Sequence, residues 1–312
     1  MCGGEYLCRT KQKFMDGKRT ARGITATVCG GIMWGFSGAC GQYIFQRGIT
    51  AQYLAPLRMI FSGIILLIIS VLWQKKQLLS LVRDKKALIR AAVFGVFGII
   101  TSQFCYLAAI SYSNAGTATV LQYLGPVIIM AYTCISAKRL PTAAESVCLL
   151  LAVLGTFLIA SHGRTDELAI SPKALFWGLA SAVGLSLYSI IPEKIIPKYG
   201  AVSVSAIGMT CGGIVLMAAL RPYNAAAAWD LHMVLAFLAI VIVGTVFAYT
   251  LFLHGVGLIG ASKASIVSCV EPVSAAVISF FWLKSTFEAA DIVGFALIIG
   301  TVIIIAVQKK QA

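Results

Sequence analysis

Acidic side chains are scarce in this 312-residue sequence: 11 Asp and Glu stand against 25 Lys and Arg, and the four charged types together make up 12%. With 59% hydrophobic residues and a mean hydropathy of +0.91, there is too little charge to cover an ordinary soluble globule. Histidine is scarcer still. His162, His232 and His254 are scattered near the ends of apolar stretches and no H-E-x-x-H occurs, so that zinc-hydrolase chemistry lacks its ligands. No P-loop pattern is present, which leaves ATP hydrolysis without a phosphate cradle, and Asp166, Glu167 and Asp230 fall in loops rather than in a converging acid–base set. The nine cysteines include no C-x-x-C pair, and seven of them lie within apolar stretches, where a thiol serves as a small packing residue. Neither an enzyme, a metal site nor a cofactor is expected.

What the chain has in abundance is apolar stretches long enough, at 1.5 Å per residue, to cross a ~30 Å hydrocarbon layer as helices. Ten are placed at 24–45, 53–73, 91–110, 115–136, 144–161, 174–191, 202–220, 233–253, 261–282 and 292–307. The expected fold is an all-α integral membrane protein. Its divisions are a basic amino-terminal tail (1–22), a first group of five helices (23–162), an outer linker (163–173), a second group of five (174–308) and a short tail (309–312). The first 22 residues lack the apolar core of a cleavable signal, so the first span is expected to stay as an anchor; Met15 is an alternative start.

The excess positive charge is distributed unevenly. If both termini are cytoplasmic, nineteen of the 25 Lys and Arg fall in inner segments and five in outer ones, with Arg58 inside a span. That is the positive-inside pattern of a plasma-membrane protein of bacterial type. The basic charge orients the chain, and no nucleic-acid module accompanies it.

Sliding the sequence against itself by 146 positions lays "GIITSQFCYLAAISYSNAGTA" (98–118) over "GTVFAYTLFLHGVGLIGASKA" (244–264), and brings Pro126 onto Pro272. At a shift near 150, "MIFSGIIL" from Met59 lies over "MTCGGIVL" from Met209. Because five is odd, consecutive five-helix copies must enter the bilayer from opposite sides. Such an inverted repeat allows one site to open alternately to either face.

The segments 115–161 and 261–306, each a helix, a proline and further helix, resemble the paired units of the EamA-type branch of the drug/metabolite transporter superfamily. So do "WGFSG" at Trp34 and "LAPLRMIFSGIILL" with Arg58. The resemblance covers nearly the whole chain. It implies ten helices in two inverted repeats around a central cavity, and movement of amino acids, other metabolites or amphipathic toxic compounds, often outward. Lys138 and Lys284 stand where family members often carry an acid.

One carboxylate lies deep in a span. Glu271 is about ten residues from either end of its stretch, roughly 15 Å, too far for its short side chain to reach headgroups. An acid at that depth costs about 2.5–3.5 kcal/mol on insertion scales, so it should face protein or water. It is expected to bind a cationic group or to take up a coupling proton. The bland reading is a structural hydrogen bond, with Arg58 a candidate partner. Steps of three add Ser262, Ser265 and Ser268 to its face, and the repeat places Gly116, Thr119, Gln122 and Gly125 on the matching face of the fourth span. Pro126 and Pro272 free the carbonyls of Gln122 and Ser268 and break both helices at one depth. Trp34, Tyr106, Tyr123, Tyr188 and Tyr249 are expected to wall the cavity. Arg58, about 9 Å inside its span, is within reach of the interface. Gly31 with Gly35, and Gly208 with Gly212, are spaced for close helix contact. The partners are thus a small-molecule substrate, protons and lipid. A facilitator or exchanger independent of any gradient is the first alternative, followed by a polytopic membrane protein that moves no solute or an intramembrane enzyme, and the oligomeric state is left open.

Overall fold

The computed structural model describes residues 3–112, 115–161, 163–164, 171–221, 229–283 and 288–307. Every regular element among them is helical. The first group comprises α1 (Gly3–Gln46), α2 (Ala51–Trp73), α3 (Lys75–Arg83), α4 (Lys85–Val93), the π-helical segment π1 (Phe94–Ile100), α5 (Thr101–Ser111), α6 (Ala115–Gln122), α7 (Gly125–Ser136) and α8 (Ala143–Ser161). The second comprises α9 (Pro172–Glu193), α10 (Ile196–Tyr199), α11 (Ala201–Leu220), α12 (Leu231–Val241), π2 (Ile242–Phe247), α13 (Ala248–Ile259), α14 (Ala261–Val267), α15 (Val270–Leu283) and α16 (Ala289–Val307).

Among the described residues, six helical stretches are long and apolar enough to cross a bilayer, at 51–73, 85–109, 118–136, 172–193, 201–220 and 231–259, and the helices at 143–158 and 289–304 are apolar but shorter. Among the other expected spans, those at 24–45 and 261–282 contain side chains outside the described set. The helix of the first expected span begins at Gly3, within the residues expected as the basic amino-terminal tail. Lys284, His162, Asp166 and Glu167 lie outside the described residues.

The surface is inverted relative to a soluble protein. Along α2, Phe61, Ile64, Ile68 and Leu72 are exposed at helical spacing, whereas Ser62 and Ser70 are fully buried. A helix that turns apolar groups outward and hydroxyls inward has lipid as its solvent. Ser70 and Ser203 satisfy each other across α2 and α11 at 2.7 Å.

Packing pairs elements across the two groups. α2 lies on α11, α8 on α16, α1 on α13 and α15, and α9 on α5, α6 and α7. Small residues permit these approaches. A Cβ at Gly35 would collide with Ser274 and lie 2.7 Å from the backbone nitrogen of Ala275, and one at Gly95 would collide with the carbonyl of Gly208. The two spaced glycine pairs read from the sequence are therefore helix contacts, α1 on α15 and α11 on π1.

Irregularities fall at corresponding places. π1 and π2 interrupt the third and eighth expected spans, and a π turn re-aims the side chains beyond it. The prolines interrupt the fourth and ninth. α6 stops at Gln122 and α7 resumes at Gly125; α14 stops at Val267 and α15 resumes at Val270. Helices α8 and α16 also start alike. Glu145 accepts the Thr142 backbone N–H at 2.9 Å, and Asp291 accepts that of Glu288 at 2.8 Å, an acid closing the first turn each time.

Candidate functional site

The two broken helices meet at their breaks. Pro272 has no N–H for the carbonyl of Ser268, which instead accepts the Glu271 N–H at 3.0 Å in a tightened turn. The same carbonyl takes the Tyr123 hydroxyl at 3.2 Å, and Tyr123 also lies 2.9 Å from Oε2 of Glu271. One phenol at the α6/α7 break thus holds both the freed backbone acceptor and the carboxylate of the α14/α15 break. Glu271 is half-buried, Tyr123 buried.

Around this pair, Tyr106 and Thr119 share a hydroxyl bond of 3.0 Å, and Gln122 donates to the Ser102 carbonyl at 3.2 Å. Gly125, Pro126 and Pro272 are buried at the breaks, and Gly125 packs against Ala182 and Leu185 of α9. The surroundings of Gly116 lie outside the described residues. The serine stripe closes on its own helix: Ser265 donates to the Ser262 carbonyl and Ser268 to that of Ser265, each at 2.8 Å, with both serines buried. Helical spacing was enough to align these hydroxyls, but the backbone supplies their partners.

Arg58 is bound by hydroxyls of the second group. Its Nε donates to Thr245 Oγ1 at 2.9 Å and its NH2 to the Tyr249 hydroxyl at 3.3 Å, with the guanidinium carbon 5.8 Å from that ring's centre. A hydroxyl pair on π2 and α13 therefore holds the cation, while the Glu271 carboxylate is held by Tyr123. Arg58 as the structural partner of Glu271 is corrected on this geometry.

The aromatics expected to wall a cavity divide into two sets. Tyr106 and Tyr123 stand beside the acid. Trp34, Tyr188 and Tyr249 pack on one another and on Phe252, with ring centres 5.1 Å apart for Trp34–Tyr249 and Trp34–Phe252, 5.2 Å for Tyr188–Tyr249 and 5.5 Å for Tyr188–Phe252. These four rings, from α1, α9 and α13, plug the centre of the bundle. Trp34 Nε1 and the Tyr188 hydroxyl are buried there without hydrogen-bond partners, so the plug carries two donors ready for water or a polar solute. Phe252 and Thr245 were not singled out from sequence. The signal for Phe252 was present, since the 146-residue offset lays it over Tyr106.

A helical bundle with lipid-facing apolar surfaces, two broken helices that meet at their breaks and a half-buried acid bound to a buried phenol defines a multi-pass integral membrane protein built to handle a solute. The chain belongs to the EamA-like transporter family, whose model matches it twice, over residues 21–161 and 172–307. It is 36% identical over 293 residues to the "Uncharacterized inner membrane transporter YicL" of Salmonella typhimurium, covering 94% of this chain and 97% of that protein. It is 24% identical to the "Uncharacterized transporter YetK" of Bacillus subtilis, covering 89% and 84%. A solved crystal structure superposes with a TM-score of 0.74 over 92% of this chain and 96% of its own at 17% identity, a likeness of fold.

Proposed function

We propose that this transporter is a secondary active carrier that moves a small metabolite, amino acid-like or amphipathic and cationic, out across a bacterial inner membrane by alternating access. The observation that carries the reading is the Tyr123–Glu271 pair joining the two helix breaks. A carboxylate held by a single phenol at mid-membrane depth can exchange that donor for a substrate ammonium group or for a proton.

Two inverted five-helix repeats are the architecture proposed for this cycle. Supporting it are the double family match, the matching π segments and breaks, and cross-group pairing that keeps its pattern when the groups are exchanged. The charge distribution supports cytoplasmic termini. On this reading the packed rings of Trp34, Tyr188, Tyr249 and Phe252 act as a gate that opens as solute passes. Gln122, Thr119, Ser265 and Ser268 frame the same depth, and Arg58 holds Tyr249 at the plug.

The test is reconstitution into liposomes loaded with a metabolite mixture, with efflux followed with and without a pH gradient. Gradient-driven efflux abolished by Glu271→Gln supports the reading. Efflux indifferent to both points instead to a facilitator, and normal transport by Glu271→Gln at every pH refutes both roles of the acid.

A further inference from the structure

Two aspartates precede long helices at corresponding places. Asp84 Oδ1 accepts the Ala87 N–H at 3.1 Å at the start of α4, and Asp230 Oδ1 accepts the Met233 N–H at 2.7 Å at the start of α12. Both members of each cap are related by the 146-residue offset. A cap needs one oxygen. In each aspartate the second oxygen reaches the other half of the chain.

Asp230 Oδ2 takes Arg47, at the α1–α2 turn, at 2.6 Å. Asp84 Oδ2 takes the Tyr199 hydroxyl at 2.5 Å and lies 3.6 Å from Lys198 Nζ, both on α10 between α9 and α11. Each cation also lies against a tyrosine ring, Arg47 4.9 Å from the centre of Tyr43 and Lys198 4.8 Å from that of Tyr199. The same three parts, a capping aspartate, a cation and a tyrosine, thus occur twice. The two assemblies stand at opposite ends of α2, whose 23 residues span about 34 Å, and hence at opposite faces of the membrane. The hydrogen bonds of Tyr199 and the Ala87 N–H hold the Asp84 carboxyl below its ordinary range, and the Met233 N–H and Arg47 do the same for Asp230.

We propose that Arg47–Asp230 and Tyr199/Lys198–Asp84 are a matched pair of latches, one at each mouth of the transport path, that position the two halves and open in alternation. The assignment rests on the alternating-access reading. Each latch ties a turn of one half to the first turn of a helix in the other, so relative motion of the halves must part it. The ion pair in each latch is exposed and of modest strength, which suits a contact that breaks in every cycle, and the Asp84 latch adds the bond from the buried Tyr199. The capping bond, lying within one helix, survives the motion and keeps the carboxylate aimed.

The test is sided labelling of a Gln122→Cys reporter, in a background with the native cysteines replaced, using a membrane-impermeant thiol reagent on oriented vesicles of each sidedness. Arg47→Gln is expected to raise labelling several-fold from the outer face only, with Arg47→Lys close to the parent. Lys198→Gln with Tyr199→Phe is expected to raise it from the inner face only, and Asp84→Asn, which keeps the capping oxygen, to act in the same direction. Thermal unfolding of each variant checks that the fold is retained. Parental labelling from both faces in every variant, or variants of both latches opening the same face, overturns the proposal. Labelling needs no solute and flux is measured in the same latch variants with Gln122 retained, so sidedness that shifts without solute flux supports the latches and counts against the transport reading, whereas flux with unchanged sidedness overturns the latches alone.

Discussion

If the Tyr123–Glu271 contact joins the two breaks as a charge-assisted bond, a double-mutant cycle will reveal coupling between the two residues. Tyr123→Phe removes the donor 2.9 Å from Oε2 of Glu271 and 3.2 Å from the Ser268 carbonyl, while leaving the ring in place. A hydrogen bond to a charged group contributes about 1.5–3 kcal/mol, and a neutral one about 0.5–1.5. Glu271→Gln keeps an acceptor of the same shape and removes the charge. Tyr123→Phe should therefore cost about 2–3 kcal/mol in the parent and about 1 kcal/mol in the Glu271→Gln background, a coupling of about 1–2 kcal/mol. Equilibrium unfolding of the four proteins in mixed micelles measures it. Additivity within about 0.5 kcal/mol would refute the charge-assisted bond and leave the phenol as a filler of the break.

Tyr188→Phe removes a buried hydroxyl that has no partner, so stability should hold or rise, by up to about 2 kcal/mol, while transport falls if that hydroxyl meets solute; melting and flux assays separate the two. Gly95→Leu should destabilise by about 1–3 kcal/mol or more, because even a Cβ there meets the Gly208 carbonyl and finds the Gly208 Cα at 2.9 Å; melting in detergent reads it. Glu145→Ala, which removes the acid closing the first turn of α8 and bound by the two terminal guanidinium nitrogens of Arg139 at 2.7 and 2.8 Å, should cost about 1 kcal/mol. The carboxyls of Asp84 and Asp230 are held below their ordinary range, so their stabilising contribution is complete above the unfolded value of about 3.9 and disappears only as the pH falls through the lower folded values. The ratio of outer-face to inner-face labelling at a given pH should accordingly stay flat from about pH 5 to 8, the ionisation of the reporter thiol cancelling between the faces, and a pH dependence of transport in that window should vanish in Glu271→Gln but persist in Arg47→Gln.

The sequence alone was enough to place apolar stretches on the helices of the structure, because crossing hydrocarbon demands a run of apolar residues that local composition must supply. It also placed the 146-residue offset, the two prolines and the one deep acid, each of which is a property of position along the chain. Which group meets that acid was a different kind of question. Tyr123 and Glu271 are 148 residues apart, and Arg58 and Thr245 are 187 apart; their contacts depend on helix rotation, on glycines that set the distance between axes and on π turns that rotate the residues beyond them. None of these is a local quantity. The serines show the limit from the other side, since correct spacing put them on one face and their own backbone then took their hydroxyls. The caps made by Asp84 and Asp230 were not read from the sequence, and the second role of each carboxylate exists only where the turns of the opposite half come within reach.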